Sequence, residues 1–382
     1  MSVKDLAYLA LADGTLFPGR PLGACGRRTG EAVFNTSMTG YQEILTDPSY
    51  CRQIVIMTAP QIGNTGVNDE DDESERVWAA GFVVRRSSLA VSNWRATGSL
   101  DGHLSARDIV GITDVDTRGL VRHLREGGAQ HGAIVSDGGS AEDALALARS
   151  APDINRMDLV GEVSCAAPYA WTAAADAAWY PGVALPAVGG AAGPHVVVYD
   201  FGVKRNTLRL LVSRGCRVTV VPARTTAEAA LALGPDGVLL SNGPGDPATL
   251  GDIVTEIGRL LGRVPVFGIC LGHQLLGTAL GGRTYKLKFG HRGGNQPVKG
   301  PEPHVAISSQ NHGYALDGAD LAPDVAVTHL SLNDGSVEGI RSESRRCFSV
   351  QYHPEAAPGP HDAAGLFDTF VAAVVGGAAS VP

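Results

Sequence analysis

The apolar positions of this chain fall into two patterns. Through residues 1–150 they form short runs broken by turn signals. Ala7–Ala12, followed by Asp13-Gly14-Thr15, predicts a strand closed by a hairpin turn. Glu31–Phe34, Gln53–Thr58 and Val77–Val84 predict further strands, and Ala141–Ser150 an amphipathic helix capped by Ser140. Asn35–Tyr50 is dense in hydroxyls and amides and holds an Asp-Pro turn signal, while Pro60–Gly66 reads as a loop. Leu104–Gly127 mixes helix-like pieces with turns. The charge run Glu70–Glu75 is expected to be solvated surface with no metal role. The first half is thus expected to be a mixed α+β domain, and its spacing alone points to no catalytic constellation.

From 151 to 193 the pattern weakens into Ala, Pro and Gly, which predicts a connecting segment. Residues 194–382 read differently. His195–Asp200 is a short apolar strand, Asn206–Arg214 has helical spacing, and Gly215 ends it. Strands Val218–Val221 and Gly237–Ser241 then alternate with helices near Thr226–Leu233 and Asp252–Leu261, before a last strand that runs up to Cys270. Such alternation predicts an α/β domain with a mostly parallel sheet flanked by helices. Function in such a sheet sits outside the carboxyl ends of its strands.

Two stretches fall there. In Pro265–Leu276 a strand turns at once into a helix, with Cys270 at the junction and Gly268 and Gly272 on either side. A tight elbow needs small neighbours. The helix start sets backbone N–H groups and a positive dipole end near the sulfur, which favours thiolate and can hold an oxyanion. A buried core cysteine is the plainer reading of a lone Cys, so a nucleophile here needs a base. The second stretch, Asn242–Pro247, has two glycines that let backbone N–H groups approach a ligand, although an ordinary strand-exit turn fits it equally well. The base is expected near another strand end. Cys347–Tyr352 reads as a strand, and His353-Pro354-Glu355 follows it, giving a base and a carboxylate to orient it.

Composition narrows the classes. A length of 382 residues predicts two domains, and 44% hydrophobic with 18% charged residues describes a globular chain. A formal net charge of −8 argues against a nucleic-acid partner. No apolar stretch reaches the ~20 residues of a membrane span, and the start of the chain lacks the pattern of a signal peptide. The six cysteines show no metal-ligand spacing, so the expectation is reduced thiols in the cytoplasm and no metal site.

Gly268–Gln274, the Asn242–Pro247 loop and His353-Pro354-Glu355 together resemble the class I, triad-type glutamine amidotransferases over residues 194–375. Phe34–Tyr50, Gly63–Asn68, Tyr199–Asn206, Ser309–Tyr314 and Asn333–Gly339 further resemble the small subunit of carbamoyl-phosphate synthetase, across almost the whole chain. The resemblance implies a glutaminase with the catalytic triad Cys270, His353 and Glu355. It implies L-glutamine contacts at Ser49, Gly243, Gly245, Leu271, Gln274, Asn311, Gly313 and Tyr314. The family more often has Phe where Tyr314 stands, so a backbone contact is expected there. His273 and His312 receive no catalytic role.

The resemblance also implies a partner, a large synthetase subunit that binds bicarbonate, ATP and Mg or Mn and receives ammonia through an internal tunnel. This chain shows no Walker-type phosphate loop, and no cofactor is expected in it. A higher-order oligomer of heterodimers is compatible with the same resemblance. The rival readings are a glutaminase for another synthase, a non-catalytic amidotransferase-like scaffold, and a cysteine peptidase or hydrolase. They are weakened, respectively, by the first domain, by the intact triad, and by the Asn-His-Gly and Asn242–Pro247 segments.

Overall fold

The computed structural model describes residues 6–176, 193–301 and 305–376, so residues 177–192 of the expected connector lie outside the described residues. The chain divides into two compact units. One is Met1–Met157 with Lys288–Gly293, the other Asp158–Leu287 with Gly294–Pro382.

In the first unit seven strands close into a barrel. They are β1 (Ala7–Leu11), β2 (Leu16–Gly23), β3 (Arg27–Asn35), β4 (Gln53–Met57), β5 (Gly81–Val83), β6 (Val110–Thr113) and β7 (Gln130–Val135), in the order β1-β2-β6-β5-β4-β3-β7. Four helices accompany them: α1 (Tyr41–Thr46), α2 (Leu100–Ala106), α3 (Thr117–Gly127) and α4 (Ala141–Ser150). Side chains alternate faces along each strand. In β4, Ile54 and Ile56 join Leu9, Leu11, Val83 and Ile134, while Val55 and Met57 join Tyr41, Leu45 and Leu104. Burial on both faces explains why this strand reads as an unbroken apolar run.

Helix α4 begins as expected. Ser140 Oγ accepts from the Asp143 N–H at 3.2 Å, and the Ser140 N–H donates to Asp143 Oδ2 at 3.0 Å, a reciprocal cap. Other expectations change. The strand expected over Val77–Val84 shrinks to Gly81–Val83, because the Trp78 and Ala79 N–H groups donate to the Leu45 carbonyl at the end of α1. Strand β7 has no counterpart among the expected elements, since its polar start, Gln130-His131-Gly132, masks a short apolar end. The acidic run is not wholly solvated. Asp72 and Glu73 are buried, and Asp72 accepts from Arg107 at 2.8 Å and from Gln42 at 2.7 Å. Those partners offset the cost of taking the charge out of water.

The second unit starts with helix α5 (Leu159–Val163) and strand β8 (Tyr169–Trp171), both inside the expected connector. Nine further strands follow: β9 (His195–Asp200), β10 (Arg217–Pro222), β11 (Gly237–Leu240), β12 (Val266–Ile269), β13 (Arg283–Lys299), β14 (Val305–Asp317), β15 (Ala326–Ser331), β16 (Val337–Ser342) and β17 (Cys347–Val350). Their helices are α6 (Arg205–Ser213), α7 (Ala227–Ala232), α8 (Gly251–Leu260), α9 (Leu271–Ala279) and α10 (Gly365–Val374). The sheet order is β14-β13-β15-β16-β17-β12-β11-β9-β10-β8. The neighbouring strands β17, β12, β11, β9 and β10 are parallel, which is the α/β core that the alternating pattern predicts. Strand β8 on one side and the β13–β16 group on the other run antiparallel. Val196 and Val198 of β9 pack with Phe267 and Ile269 on one face, and Val197 and Tyr199 with Leu240 and Val266 on the other. No helix among the described residues is long and apolar enough to cross a membrane.

Candidate active site

Parallel pairing sets two strand ends side by side. Ile269 of β12 is in register with Val350 of β17, and the Cys270 N–H donates to the Val350 carbonyl at 2.9 Å. Cys270 is therefore one residue beyond its strand end and His353 three residues beyond the neighbouring one. The elbow is real. Cys270 has φ 52° and ψ −103° and serves as the N-cap of α9. A non-glycine residue held in this sparsely populated region stores strain that the surrounding packing must maintain.

That packing tolerates no side chain at the flanking glycines. A Cβ on Gly268 would sit 2.7 Å from the Gly272 carbonyl oxygen, and one on Gly272 would sit 2.2 Å from that of Leu240. Cys270 is buried, and its Sγ lies 3.6 Å from the Asn311 carbonyl oxygen. At Leu271, the first residue of α9, the N–H has no intrahelical acceptor. Burial pushes the thiols of buried Cys216 and Cys347 up to about 11, and that of half-buried Cys165 up to about 12 with the Asp200 carboxylate adding.

His353 and Glu355 are both fully enclosed, with Nδ1 of the imidazole 2.7 Å from Glu355 Oε1. The same carboxylate oxygen is 2.7 Å from Lys204 Nζ. Burial alone would raise the Glu355 pKa, but the Lys204 ammonium, with His353 adding, holds it down at about 2. An ionised carboxylate only accepts, so the ring proton of His353 resides on Nδ1 and Nε2 is left as the basic nitrogen. That Nε2 is buried and has no hydrogen-bond partner among the described residues.

Lys204 and Asn206 were assigned no role by the sequence reading. Lys204 also donates to the Ala356 carbonyl at 2.5 Å, and Asn206 Nδ2 donates to that of Glu355 at 2.5 Å. The available signal was a lysine directly after the apolar strand exit Phe201-Gly202-Val203. The loop after β11 is tied to the same segment. Asn242 Nδ2 donates to the Gly202 carbonyl at 2.9 Å, and a Cβ on Gly243 would sit 2.1 Å from the Phe201 carbonyl oxygen. Gly245 has φ +97°, a region that favours glycine.

Strand β14 supplies the remaining wall. Ser309 bridges His353, whose N–H donates to the Ser309 carbonyl at 2.8 Å, and Asn311, Gly313 and Tyr314 follow along the strand. Gln274 of α9 donates through Nε2 to the Tyr314 carbonyl at 2.8 Å and to Gln351 Oε1 at 3.0 Å. Ser49 belongs to the first unit, on the buried turn Pro48–Tyr50. His273, also on α9, pairs its Nδ1 with Ser349 Oγ at 2.8 Å, and burial, with His329 adding, pushes its pKa down to about 3. Its ring is neutral near pH 7.

The chain is similar to known proteins along almost its whole length. The family model for the carbamoyl-phosphate synthase small chain, CPSase domain, matches residues 9–134, and that for class-I glutamine amidotransferase matches residues 197–373. The carbamoyl phosphate synthase small chain of Syntrophotalea carbinolica is 55% identical over 95% of this chain and 96% of its own length. That of Escherichia coli strain K12 is 54% identical over 96% of both. The chloroplastic small chain of Arabidopsis thaliana is 50% identical over 96% of this chain and 84% of its own.

Proposed function

This chain belongs to the carbamoyl-phosphate synthase small-chain family, and from that premise we propose that Cys270, His353 and Glu355 hydrolyse L-glutamine for a large synthetase subunit. The observation that supports the reading best is His353, anchored through Nδ1 on Glu355 while its buried Nε2 has no partner. Nε2 takes the proton of the Cys270 thiol, and Sγ bonds to the side-chain amide carbon of glutamine. Leu271 N–H and the Gly243–Gly245 loop hold the resulting oxyanion. As the C–N bond breaks, His353 returns the proton to the leaving ammonia and a γ-glutamyl thioester remains. Water, deprotonated by the same nitrogen, releases glutamate.

Gln274, Asn311, Gly313 and Tyr314 receive the rest of the substrate. The Tyr314 carbonyl already faces Gln274 Nε2 and His312 Nδ1 at 2.8 Å each, and a backbone contact to substrate is proposed at Tyr314. The Gln274 Nε2 is likewise committed, which leaves its Oε1 to meet substrate N–H groups.

Ammonia passes to the large subunit, where bicarbonate, ATP and Mg or Mn complete carbamoyl phosphate. Assembly is as a heterodimer or an oligomer of heterodimers, in the cytoplasm. The division into residues 1–150, 151–193 and 194–382 rests on the two family-model matches. Replacement of Cys270 by Ser tests the reading. Synthesis from glutamine is lost and synthesis from added ammonia survives; loss of both, in a folded assembled enzyme, would count against separate glutaminase and synthetase sites.

A further inference from the structure

Strand β14 contains a second buried polar chain behind the substrate wall. His312 has Nδ1 2.8 Å from the Tyr314 carbonyl oxygen and Nε2 3.1 Å from Gln310 Oε1. The other end of that amide, Gln310 Nε2, donates to Glu338 Oε2 at 3.0 Å. Glu338 is on β16 with no exposed surface, and Gln310 and His312 are nearly as buried. The Glu338 backbone accepts from the Gln351 N–H at 2.9 Å, so the chain returns to the residue that braces Gln274.

With Glu338 ionised, the donor and acceptor inventory fixes the charge of the rest. With Glu338 protonated, a turned Gln310 amide and a neutral His312 would satisfy the same atoms, and the protonation of the ring separates the two. An ionised carboxylate only accepts, so Gln310 turns its NH2 towards Glu338 and its oxygen towards His312. The Tyr314 carbonyl also only accepts. Both ring nitrogens of His312 therefore face acceptors, and the ring satisfies both only as an imidazolium. A ring nitrogen of His312, a carboxylate oxygen of Glu338 and a ring nitrogen of buried His291 on β13 lie within 4.8 Å of one another. A cation on His312 and the Glu338 carboxylate therefore compensate each other directly as well as through the amide, and His291 is the other titratable group that faces them.

We propose that Glu338 is a positioning residue for glutamine: its charge, relayed by Gln310, keeps His312 doubly protonated, and His312 then pins the Asn311–Tyr314 backbone that receives the substrate. The proposal rests on the glutaminase reading of that segment. Glu338 itself touches no reacting atom. The chain acts on binding, so it affects KM for glutamine and leaves the Cys270–His353 chemistry intact.

The test uses nitrogen-15 histidine spectra of the full chain, with His312 assigned by the His312→Asn variant, and glutaminase kinetics of the assembled enzyme. The expected ring is doubly protonated in the unmodified chain. Glu338→Gln keeps size and hydrogen bonding but removes the charge. It is expected to give a singly protonated ring and raise KM about tenfold with kcat nearly unchanged, as for one weakened charge-assisted hydrogen bond. Glu338→Asp, which keeps the charge, recovers part of that loss. A singly protonated His312 in the unmodified chain overturns the proposal and needs no variant, so misfolding of Glu338→Gln leaves the test standing. An unmoved spectrum and KM in a folded Glu338→Gln enzyme also overturn it. Cys270→Ser, assayed alongside, separates the premises: glutamine hydrolysis that survives it removes the glutaminase reading, whereas hydrolysis lost there and unmoved by Glu338→Gln removes the Glu338 role alone.

Discussion

Lys204 Nζ lies 2.7 Å from Glu355 Oε1, and the two side chains are 2% and 0% exposed. The same oxygen accepts a hydrogen bond from His353 Nδ1, so one buried cation sets the charge state of the group that orients the imidazole. Removing one member of such a pair leaves an uncompensated charge inside the protein. Lys204→Met is expected to cost about 3–5 kcal/mol of stability, the range for a broken buried pair. Glutamine turnover is expected to fall about tenfold or more as His353 loses its fixed orientation. Denaturant unfolding and ammonia release measure both, and a variant unchanged in both would show that the pair orients nothing.

Acid sensitivity follows from two buried groups. Glu355 has its folded pKa lowered from 4.5 to about 2, so the stability it contributes is complete above 4.5 and is lost as pH falls from there towards 2. His273 is lowered from 6.5 to about 3, so the unfolded chain takes up its proton first, and stability drains as pH falls below 6.5, levelling near 3. Unfolding free energy is therefore expected to decline in two stages, a shallow one between 6.5 and 4.5 and a steep one below 4.5. The first is shallow because Glu43, its folded pKa raised by burial to about 8, gains stability as pH falls and opposes the His273 loss. Lys204→Met removes the cation that lowers the Glu355 pKa and shrinks the second stage. Urea midpoints across this pH range check it; a flat profile between 4.5 and 3 would contradict both assignments.

Gly243 is a test of the oxyanion loop. A Cβ there would meet the Phe201 carbonyl oxygen at 2.1 Å and Leu271 Cδ2 at 2.9 Å, so the loop has to move away from both. Gly243→Ala is expected to lower kcat/KM for glutamine by about a hundredfold, the usual loss for a displaced oxyanion donor, and to leave synthesis from ammonia intact. A variant with normal glutamine kinetics would remove this loop from the oxyanion site.

Ser349 separates packing from proton transfer at His273. Ser349→Ala leaves the buried His273 Nδ1 without its partner at 2.8 Å, an expected cost of about 1–3 kcal/mol. The pH dependence of glutamine hydrolysis near neutrality should not move, because His273 is neutral there. A shifted pH–rate profile would give that ring a part in the chemistry.

Much of the site was legible because its chemistry is local. The elbow at Cys270, its two glycines, and the His353-Pro354-Glu355 exit each lie within a few consecutive residues, and their spacing alone predicts strand, turn and helix. The five parallel strands were legible for the same reason, since alternation of short apolar runs with helical spacing is a sequence property. What the sequence by itself determined is therefore the order of the parallel-strand core with its helices, the elbow at Cys270 and the candidate base beside it.

Tertiary structure decided the rest, because those partners meet only across the sheet. Lys204 reaches Glu355 over about 150 residues of chain, and Gln310 reaches Glu338 from a different strand. Closure of the barrel likewise depended on β7, whose polar start hides it, and burial of Asp72 depended on Arg107 and Gln42 arriving from elsewhere. A buried charge is stable only with its partner in place, and pairing at long range leaves no periodic trace in a single sequence.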